Sequence, residues 1–117
     1  MRVLLVDDEE EFVSTLAERL KLREIEADWT TSVEDGLDRV RLVSYDIAVL
    51  DVKMPKISGI ALKEKIQALS PATKFIFLTG HGSEADFIAG KSIAEHYLIK
   101  PIQIDELVEV LKKTYKA

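Results

Sequence analysis

Short apolar runs alternate with segments of helical spacing five times along this chain of 117 residues. Three of the runs, at residues 3–6, 47–50 and 75–78, contain no polar residue. Continuous runs of this length are typical of strands that are covered by helices on both faces of a parallel sheet. The pattern therefore predicts an α/β fold in which these three runs are the central strands.

The two remaining runs have the features of edge strands. Residues 25–30 alternate apolar and polar side chains, which suits a strand with one face or one edge towards solvent. Residues 97–99 are short and lie just before Pro101, and proline is confined to the edges of sheets. With right-handed crossovers and these runs at opposite edges, the simplest strand order is 2-1-3-4-5. We expect a flavodoxin-like, doubly wound, five-stranded parallel sheet with helices on both faces.

Four segments between and after the strands carry apolar side chains at helical spacing, so each can cover the sheet with one stripe. The stripes are Phe12, Leu16 and Leu20; Val33, Leu37 and Val40; Leu62, Ile66 and Leu69; and Ile104, Leu107, Leu111 and Tyr115. Capping-box patterns at 32–35 and 83–86 predict helices that begin near residues 33 and 84. No linker or repeat interrupts the pattern, and we expect residues 1–117 to form a single domain.

Composition excludes several classes of protein. The net charge of -5, from 21 acidic and 16 basic residues, leaves no positive excess for direct binding of nucleic acid. The absence of cysteine excludes disulfides, thiolate metal sites and cysteine nucleophiles. No apolar stretch approaches the roughly 18 residues that cross a bilayer, and Met1 leads into the first strand without a signal sequence. We expect a cytoplasmic protein that binds neither nucleic acid nor membrane.

Polar side chains end four of the five predicted strands. Asp7 and Asp8 follow the first strand, Asp51 the third, Thr79 the fourth and Lys100 the fifth. In the predicted order the direction of winding reverses between strands one and three, and open α/β sheets bind ligands in the crevice at such a switch point. The topology therefore predicts that these five side chains surround one site.

Three ionised carboxylates in one pocket repel each other by on the order of 4 kcal/mol per pair at ~4 Å and an effective dielectric near 20. One lysine cannot offset this repulsion. Either some carboxylates take up protons or a divalent cation lies among them, and oxygen ligands of this kind suit Mg²⁺. We favour the metal. The alternative is that Asp7 or Asp8 merely caps the helix that follows.

A carboxylate can also act as a nucleophile and form an aspartyl phosphate, provided that cations neutralise the incoming phosphoryl oxygens. Asp51 is the candidate because it lies at the centre of the row. Thr79 would donate its hydroxyl to one phosphoryl oxygen, and Lys100 would place its charge beside another or beside the carboxylate. Each residue alone is ordinary at a strand end, so the prediction of phosphoryl chemistry depends on their combination.

Four motifs, taken in order, resemble those of a known family. They are the acidic pair at 7–8, Asp-Val-Lys-Met-Pro at 51–55 followed by Gly59, Leu-Thr-Gly at 78–80, and Tyr-Leu-Ile-Lys-Pro at 97–101. Over essentially its whole length the chain resembles the receiver domain of bacterial two-component response regulators. The resemblance also implies a cis peptide bond between Lys100 and Pro101, which is usual in the family.

The resemblance implies roles for the residues at the strand ends. Asp51 accepts a phosphoryl group from a histidine kinase or phosphotransfer protein. Mg²⁺ is held by three carboxylates and one backbone carbonyl, namely Asp7, Asp8, Asp51 and the carbonyl of Lys53. Thr79 and Lys100 contact the phosphoryl group. The domain would then be a phosphoacceptor that promotes its own phosphorylation and dephosphorylation, and not an enzyme.

A conformational switch is a further implication of the resemblance. On phosphorylation, Thr79 moves towards the phosphoryl group and Tyr97 rotates into the space that Thr79 leaves. The face made by the predicted fourth helix, the fifth strand and the last helix is thereby repacked and presented to a downstream output domain or protein. The alternative for Tyr97 is an aromatic side chain that simply covers the core at the edge strand.

The chain departs from the family's pattern in three places. Lys53, two residues after Asp51, stands where a smaller or uncharged side chain is common, and its ammonium could approach the phosphoryl group or point to water. His81, two residues after Thr79, could hydrogen-bond the attacking water or shield the group from it. We expect both to modulate the lifetime of the phosphorylated state. Residues 87–96 lack the usual Gly-Ala pair and are about one residue short, which predicts a brief or irregular fourth helix.

Three other functions compete with a phosphorylated switch. A Mg²⁺-dependent aspartyl-phosphate phosphohydrolase usually carries Asp-x-Asp after the first strand, whereas this chain has adjacent aspartates and no room for a cap domain. A flavin-binding electron carrier would need a Ser/Thr/Gly-rich phosphate loop where this chain is acidic. A degenerate receiver that serves only as a docking module is disfavoured by the complete set of acceptor and ligand residues.

Overall fold

The computed structural model describes residues 1–80 and 96–117. The strands are β1 (Arg2–Val6), β2 (Glu26–Thr30), β3 (Ile47–Asp51), β4 (Lys74–Thr79) and β5 (His96–Ile99). The helices of these ranges are α1 (Glu10–Leu22), α2 (Val33–Leu42), α3 (Gly59–Leu69) and the C-terminal helix (Ile104–Lys116). The helix start predicted near residue 84 and the irregular fourth helix predicted before β5 lie outside the described residues.

All five strands are parallel and their order is β2-β1-β3-β4-β5. The predicted sheet, with both of its predicted edges, is therefore confirmed. The register aligns the carboxyl ends of the strands, since Asp51 pairs with Leu78 and Thr79 pairs with Ile99. The reversal of winding between β1 and β3 consequently opens at the same end of the sheet as the polar strand ends.

Helices cover both faces of the sheet, as the continuous apolar runs predicted. Successive strand residues point to opposite faces, so Val3 and Leu5 pack in one cluster with α1 and the C-terminal helix. Leu4 and Val6 pack in a second cluster with α2 and α3. Every residue of β3 is buried, which identifies it as a central strand of the two-sided core.

Two residues of the predicted helix stripes do not cover the core. Leu69, at the end of α3, is 43% exposed, and Tyr115 is 48% exposed. Thr114 takes the buried position in the C-terminal helix instead. Residues three and four apart both lie on one helix face, so either 114 or 115 can continue the stripe that begins with 107 and 111. The Thr114 hydroxyl donates to the carbonyl of Val110 at 2.8 Å and therefore accepts from Nδ1 of His96, also at 2.8 Å.

Side-chain caps fix the starts of α2 and α3, where Ser32 and Ser58 are the N-cap residues. Ser32 Oγ accepts from the Asp35 N–H at 3.2 Å, so α2 begins at Val33 as the capping pattern predicts. The second half of a capping box is replaced by an ion pair, since the Asp35 carboxylate accepts from Nε of Arg39 at 3.0 Å.

Among residues 1–80 and 96–117, no helix combines the length and apolarity that a membrane span requires.

Candidate functional site

The strand ends bring the predicted site residues to one edge of the sheet. Asp51 is the last residue of β3 and Thr79 is the last residue of β4. Asp7 directly follows β1, and Lys100 directly follows β5. The sheet ladder extends past β5, since the Lys100 N–H donates to the Thr79 carbonyl at 2.7 Å. These backbone bonds hold the four side chains at fixed positions around the switch point.

Three carboxylates converge at this edge. One oxygen each of Asp7, Asp8 and Asp51 lies within 4.8 Å of the other two. Asp7 and Asp51 are buried, with exposed fractions of 1% and 6%, while Asp8 is exposed. Converging carboxylate oxygens are ligands that suit a hard cation, so this donor set fits Mg²⁺.

Burial and mutual repulsion raise the pKa values of the buried carboxyls. Burial, with the charge of Asp7 next in size, raises the pKa of Asp51 to about 7. The pKa of Asp7 is raised by burial, although the Glu9 N–H and Lys100 oppose this effect. Burial alone would lower the pKa of Lys100, but hydrogen bonds to Asp7 and Glu9 raise it above its usual range. A bound cation would relieve the repulsion among the carboxylates.

Lys100 reaches across the site to the start of α1. Its Nζ donates to Asp7 Oδ2 and Glu9 Oε1, both at 2.9 Å, and lies 3.7 Å from Asp51 Oδ1. The ammonium also lies 4.8 Å from the centroid of the Phe12 ring. Neither Glu9 nor Phe12 was predicted at the site. The usable signal was that Glu9 lies in the short turn between the end of β1 and the start of α1, at the same edge of the sheet as Lys100.

Asp7 does more than begin a helix, so for this residue the alternative of a mere helix cap is not supported. The residue at the N-cap of α1 is Glu9. Asp7 Oδ1 accepts from the Glu9 N–H at 2.9 Å, before the helix starts, and Asp7 Oδ2 binds Lys100. Asp7 therefore spans the site from the β1 end to the β5 end.

The backbone of Asp51 is packed against the first residue of α3. A Cβ at Gly59 would lie 2.2 Å from the carbonyl oxygen of Asp51, which only glycine avoids. The Gly59 N–H donates to the Val52 carbonyl at 2.8 Å, and Ser58 Oγ caps the helix by accepting from the Ala61 N–H. The glycine that follows the Asp51 motif is thus required by this close approach.

The remaining predicted residues lie around the cluster. Thr79 is fully buried beside Asp51's strand, and Tyr97, which pairs with Phe77, is 36% exposed. Lys53 is exposed and lines a depression together with Asp8. The position of His81 is outside the described residues. The peptide bond before Pro101 is cis, as the family resemblance implied.

Comparison with known proteins agrees with this geometry. The sequence model of the response regulator receiver domain matches residues 3–112. The chain belongs to the response regulator receiver family. The family resemblance found in the sequence is therefore confirmed, and receiver domains of two-component systems pair with histidine kinases and generally serve signalling rather than enzymatic roles. The assignment favours the signalling interpretation over the phosphohydrolase and the flavin carrier.

Among its relatives, this receiver domain is 30% identical to the transcriptional regulatory protein DltR of Streptococcus agalactiae over 109 residues, which are 92% of the chain and 49% of DltR. It is 33% identical to CutR of Streptomyces coelicolor, over 92% of the chain and 50% of CutR. The chain thus spans about half the length of these regulators.

Solved structures show the same fold. A CheY-like receiver domain from Methanospirillum hungatei is 28% identical with a TM-score of 0.88, over 98% of this chain and 93% of that chain. The response regulator TrrA of Thermotoga maritima, solved in complex with Mg²⁺-BeF, is 32% identical with a TM-score of 0.84, over 97% of both chains. The flavodoxin-like sheet is therefore shared with these two proteins.

Proposed function

We propose that this receiver domain is a phosphorylation-dependent signalling switch. Asp51 accepts a phosphoryl group from a histidine kinase or phosphotransfer protein, and the phosphorylated domain acts on a downstream output domain or protein. The observation that carries the proposal is the position of Asp51, which is 6% exposed, belongs to a cluster of three carboxylates and lies 3.7 Å from the Lys100 ammonium.

The proposed reaction is a displacement at phosphorus. A carboxylate oxygen of Asp51 forms a bond to phosphorus, and the bond from phosphorus to the donor's imidazole nitrogen breaks. That nitrogen keeps the electron pair, so the donor histidine ends as a neutral or protonated imidazole. The attacking carboxyl must be ionised, and its pKa of about 7 means that nearby positive charge is needed to keep it so at neutral pH.

Mg²⁺ is the cofactor that the donor set fits best. The ligands in this proposal are three carboxylates and one backbone carbonyl, namely Asp7, Asp8, Asp51 and the carbonyl of Lys53. When bound, the ion supplies positive charge that neutralises the phosphoryl oxygens. Support comes from the convergence of the three carboxylates and from TrrA, a relative that was solved with Mg²⁺-BeF.

Thr79 and Lys100 are proposed to bind the phosphoryl group that Asp51 has accepted. Thr79 ends β4, the strand next to β3, and is fully buried, so it ends at the same edge of the sheet as Asp51. A hydroxyl and an ammonium together supply charge-assisted hydrogen bonds to two different phosphoryl oxygens. These bonds exist only after phosphorylation and can therefore stabilise a different packing.

Tyr97 is the proposed reporter of that packing. It lies on the edge strand β5, pairs with Phe77 and has an exposed fraction of 36%, so its ring can move inward without breaking the sheet. When Thr79 shifts towards the phosphoryl group, the Tyr97 ring fills the space behind it. The face made by β5, the C-terminal helix and the helix predicted to begin near residue 84 then becomes the output surface.

A small phosphodonor separates this function from its alternatives. We expect incubation with acetyl phosphate and Mg²⁺ to phosphorylate one residue per chain, and the substitution Asp51→Asn to abolish uptake. Rapid release of phosphate over many turnovers would instead indicate a phosphohydrolase. No uptake by a folded, Mg²⁺-loaded domain would indicate a docking module and would contradict the proposal.

A further inference from the structure

Glu9 belongs to a closed ring of hydrogen bonds at the rim of the site. Asp7 Oδ1 accepts from the Glu9 N–H at 2.9 Å, which fixes the backbone of Glu9. Asp7 Oδ2 and Glu9 Oε1 then both accept from Nζ of Lys100 at 2.9 Å. The Glu9 side chain is 63% exposed, whereas that of Asp7 is 1% exposed. The ring therefore joins the buried interior of the site to its solvent edge through one ammonium.

The ring places the Lys100 ammonium on the α1 side of the site. An ammonium carries three N–H donors, and two of them are used by Asp7 and Glu9. Asp51 Oδ1, at 3.7 Å, is beyond hydrogen-bond distance. The Phe12 ring of α1, with its centroid 4.8 Å from Nζ, attracts the cation in the same direction. The contacts with Glu9 and Phe12 thus draw the ammonium towards the rim and away from the reacting carboxylate.

We propose that Glu9 is a positioning residue that holds Lys100 at the rim of the site and thereby slows uptake of a phosphoryl group by Asp51. The inference rests on the proposed function and adds a control to the same site. To bind a phosphoryl oxygen on Asp51, the ammonium must weaken its bond to Glu9. Until then the bond to Glu9 helps to hold the ammonium 3.7 Å from Asp51 Oδ1, beyond hydrogen-bond distance.

A merely structural role for the Glu9 ion pair predicts a different result. An ion pair with so exposed a partner contributes little to the free energy of unfolding, so loss of Glu9 should leave the fold and its stability nearly unchanged. Loss of a positioning contact should change the rate of phosphorylation instead. Rate and stability, measured on the same variants, therefore separate the two roles.

Three variants separate contact from charge. Glu9→Gln removes the negative charge, and Glu9→Asp keeps the charge but shortens the side chain by one methylene, which we expect to break its contact with Lys100. Glu10→Gln is the matched control, because Glu10 carries the same charge one residue further along α1, and the ion pairs described for Lys100 involve Asp7, Glu9 and Asp51. All three variants retain the buried residues of the site.

The measurement is the initial rate of phosphorylation by acetyl phosphate at saturating Mg²⁺. We expect Glu9→Gln and Glu9→Asp to react about three- to tenfold faster than the wild type, and Glu10→Gln to stay within about twofold of it. A slower or unchanged rate in Glu9→Gln would overturn the proposal. So would equal acceleration in Glu9→Gln and Glu10→Gln with a wild-type rate in Glu9→Asp, because that result indicates long-range charge alone.

A second readout does not depend on phosphorylation. The nuclear magnetic resonance signal of the isotope-labelled ε-carbon of Lys100, assigned with a Lys100→Arg variant, reports the surroundings of the ammonium. We expect this signal to move in Glu9→Gln and Glu9→Asp and to stay in place in Glu10→Gln, without any donor present. An unmoved signal in Glu9→Gln would contradict the proposal that Glu9 holds the Lys100 ammonium. If the wild type takes up no phosphoryl group, the proposed function fails, yet this signal still decides whether Glu9 holds Lys100.

Discussion

At the scale of single residues, Asp51 is in a place that disfavours its own charge. It is buried, and the charge of Asp7 lies beside it. Both effects raise its pKa from 3.8 to about 7. A carboxyl whose pKa is raised on folding takes up its proton more readily in the folded state. The folded protein is therefore favoured at low pH and loses this advantage as pH rises from about 4 to about 7.

This effect predicts that Asp51→Asn stabilises the metal-free protein. A shift from 3.8 to about 7 corresponds to at most about 4 kcal/mol at neutral pH. We expect a gain of about 1–3 kcal/mol in the free energy of unfolding, because asparagine also loses its attraction to Lys100. Urea unfolding near neutral pH with a chelator measures it. The control Asp38→Asn removes an exposed carboxylate paired with Arg41 and should change stability by less than about 1 kcal/mol.

The gain from Asp51→Asn should shrink as pH falls from about 7 to about 4, because the wild-type carboxyl then becomes neutral as well. A gain that is the same at both ends of this range, or a loss of stability at neutral pH, would contradict the account of the buried carboxylate cluster.

Lys53 and His81 carry a separate prediction at the residue scale. Lys53 lies two residues after the proposed acceptor Asp51, and His81 lies two residues after Thr79, which is proposed to contact the phosphoryl group. We expect Lys53→Ala and His81→Ala to change the half-life of the phosphorylated state by about two- to tenfold, because each can affect the attacking water or the phosphoryl charge. Mg²⁺ affinity should change little. Unchanged dephosphorylation rates in both variants would show that neither side chain acts on the site.

At the scale of elements, the start of α3 determines where Asp51 lies. The Cβ of an alanine at position 59 would lie 2.2 Å from the Asp51 carbonyl oxygen, so helix and strand must separate. We expect Gly59→Ala to lower the free energy of unfolding by about 1–3 kcal/mol and to reduce phosphorylation by acetyl phosphate at least severalfold. Urea unfolding and the initial phosphorylation rate measure the two effects.

The matched control for that substitution is Gly36→Ala in α2. A Cβ there would be in ordinary contact with Thr30 and Val6, at 3.5 and 3.6 Å. Alanine is the better helix former, so Gly36→Ala should raise stability by about 0.5–1 kcal/mol and leave phosphorylation unchanged. If both substitutions have the same effect on stability, close packing against Asp51 is not the reason for Gly59.

The strands and the start of α2 could be predicted from the sequence, whereas the buried face of the C-terminal helix could not. The central strands could be predicted because their apolar runs are continuous, and the start of α2 because Ser32 is a cap. The buried face of the C-terminal helix could not be settled, because Thr114 and Tyr115 both continue the spacing and Tyr115 is the more apolar. The Thr114 hydroxyl bonds to the Val110 carbonyl one turn earlier in the helix and to His96 on β5, and the contact with β5 joins two elements, which helical spacing alone does not reveal.

The site itself was predictable to a similar degree. The residues that end buried strands were found because topology alone brings strand ends together. Glu9 was missed, since its bond to Lys100 spans 91 positions of the chain and depends on how the turn after β1 is held. That turn is held by Asp7, whose Oδ1 accepts from the Glu9 N–H. The contacts that modify a site are therefore harder to predict than the residues that make it.

At the scale of the whole molecule, the site and the fold are linked through Mg²⁺. A ligand that binds only the folded state stabilises it in proportion to the logarithm of its concentration over Kd. Because the Asp7 and Asp51 carboxyls have raised pKa values, protons compete with the ion. We expect the increase in Tm on adding Mg²⁺ to be several degrees near pH 8 and about zero near pH 5. An equal increase at both pH values would place the ion elsewhere.

The central claim is that the strand ends form one phosphoryl-accepting site with Asp51 as its nucleophile. The most direct measurement is to phosphorylate the domain with acetyl phosphate and Mg²⁺, reduce the acyl phosphate with borohydride, and locate the converted residue by peptide mass spectrometry. The account predicts conversion of Asp51 alone, and none in the absence of donor. Conversion of Asp7 or Asp8, or of no residue in a folded domain that binds Mg²⁺, would contradict it.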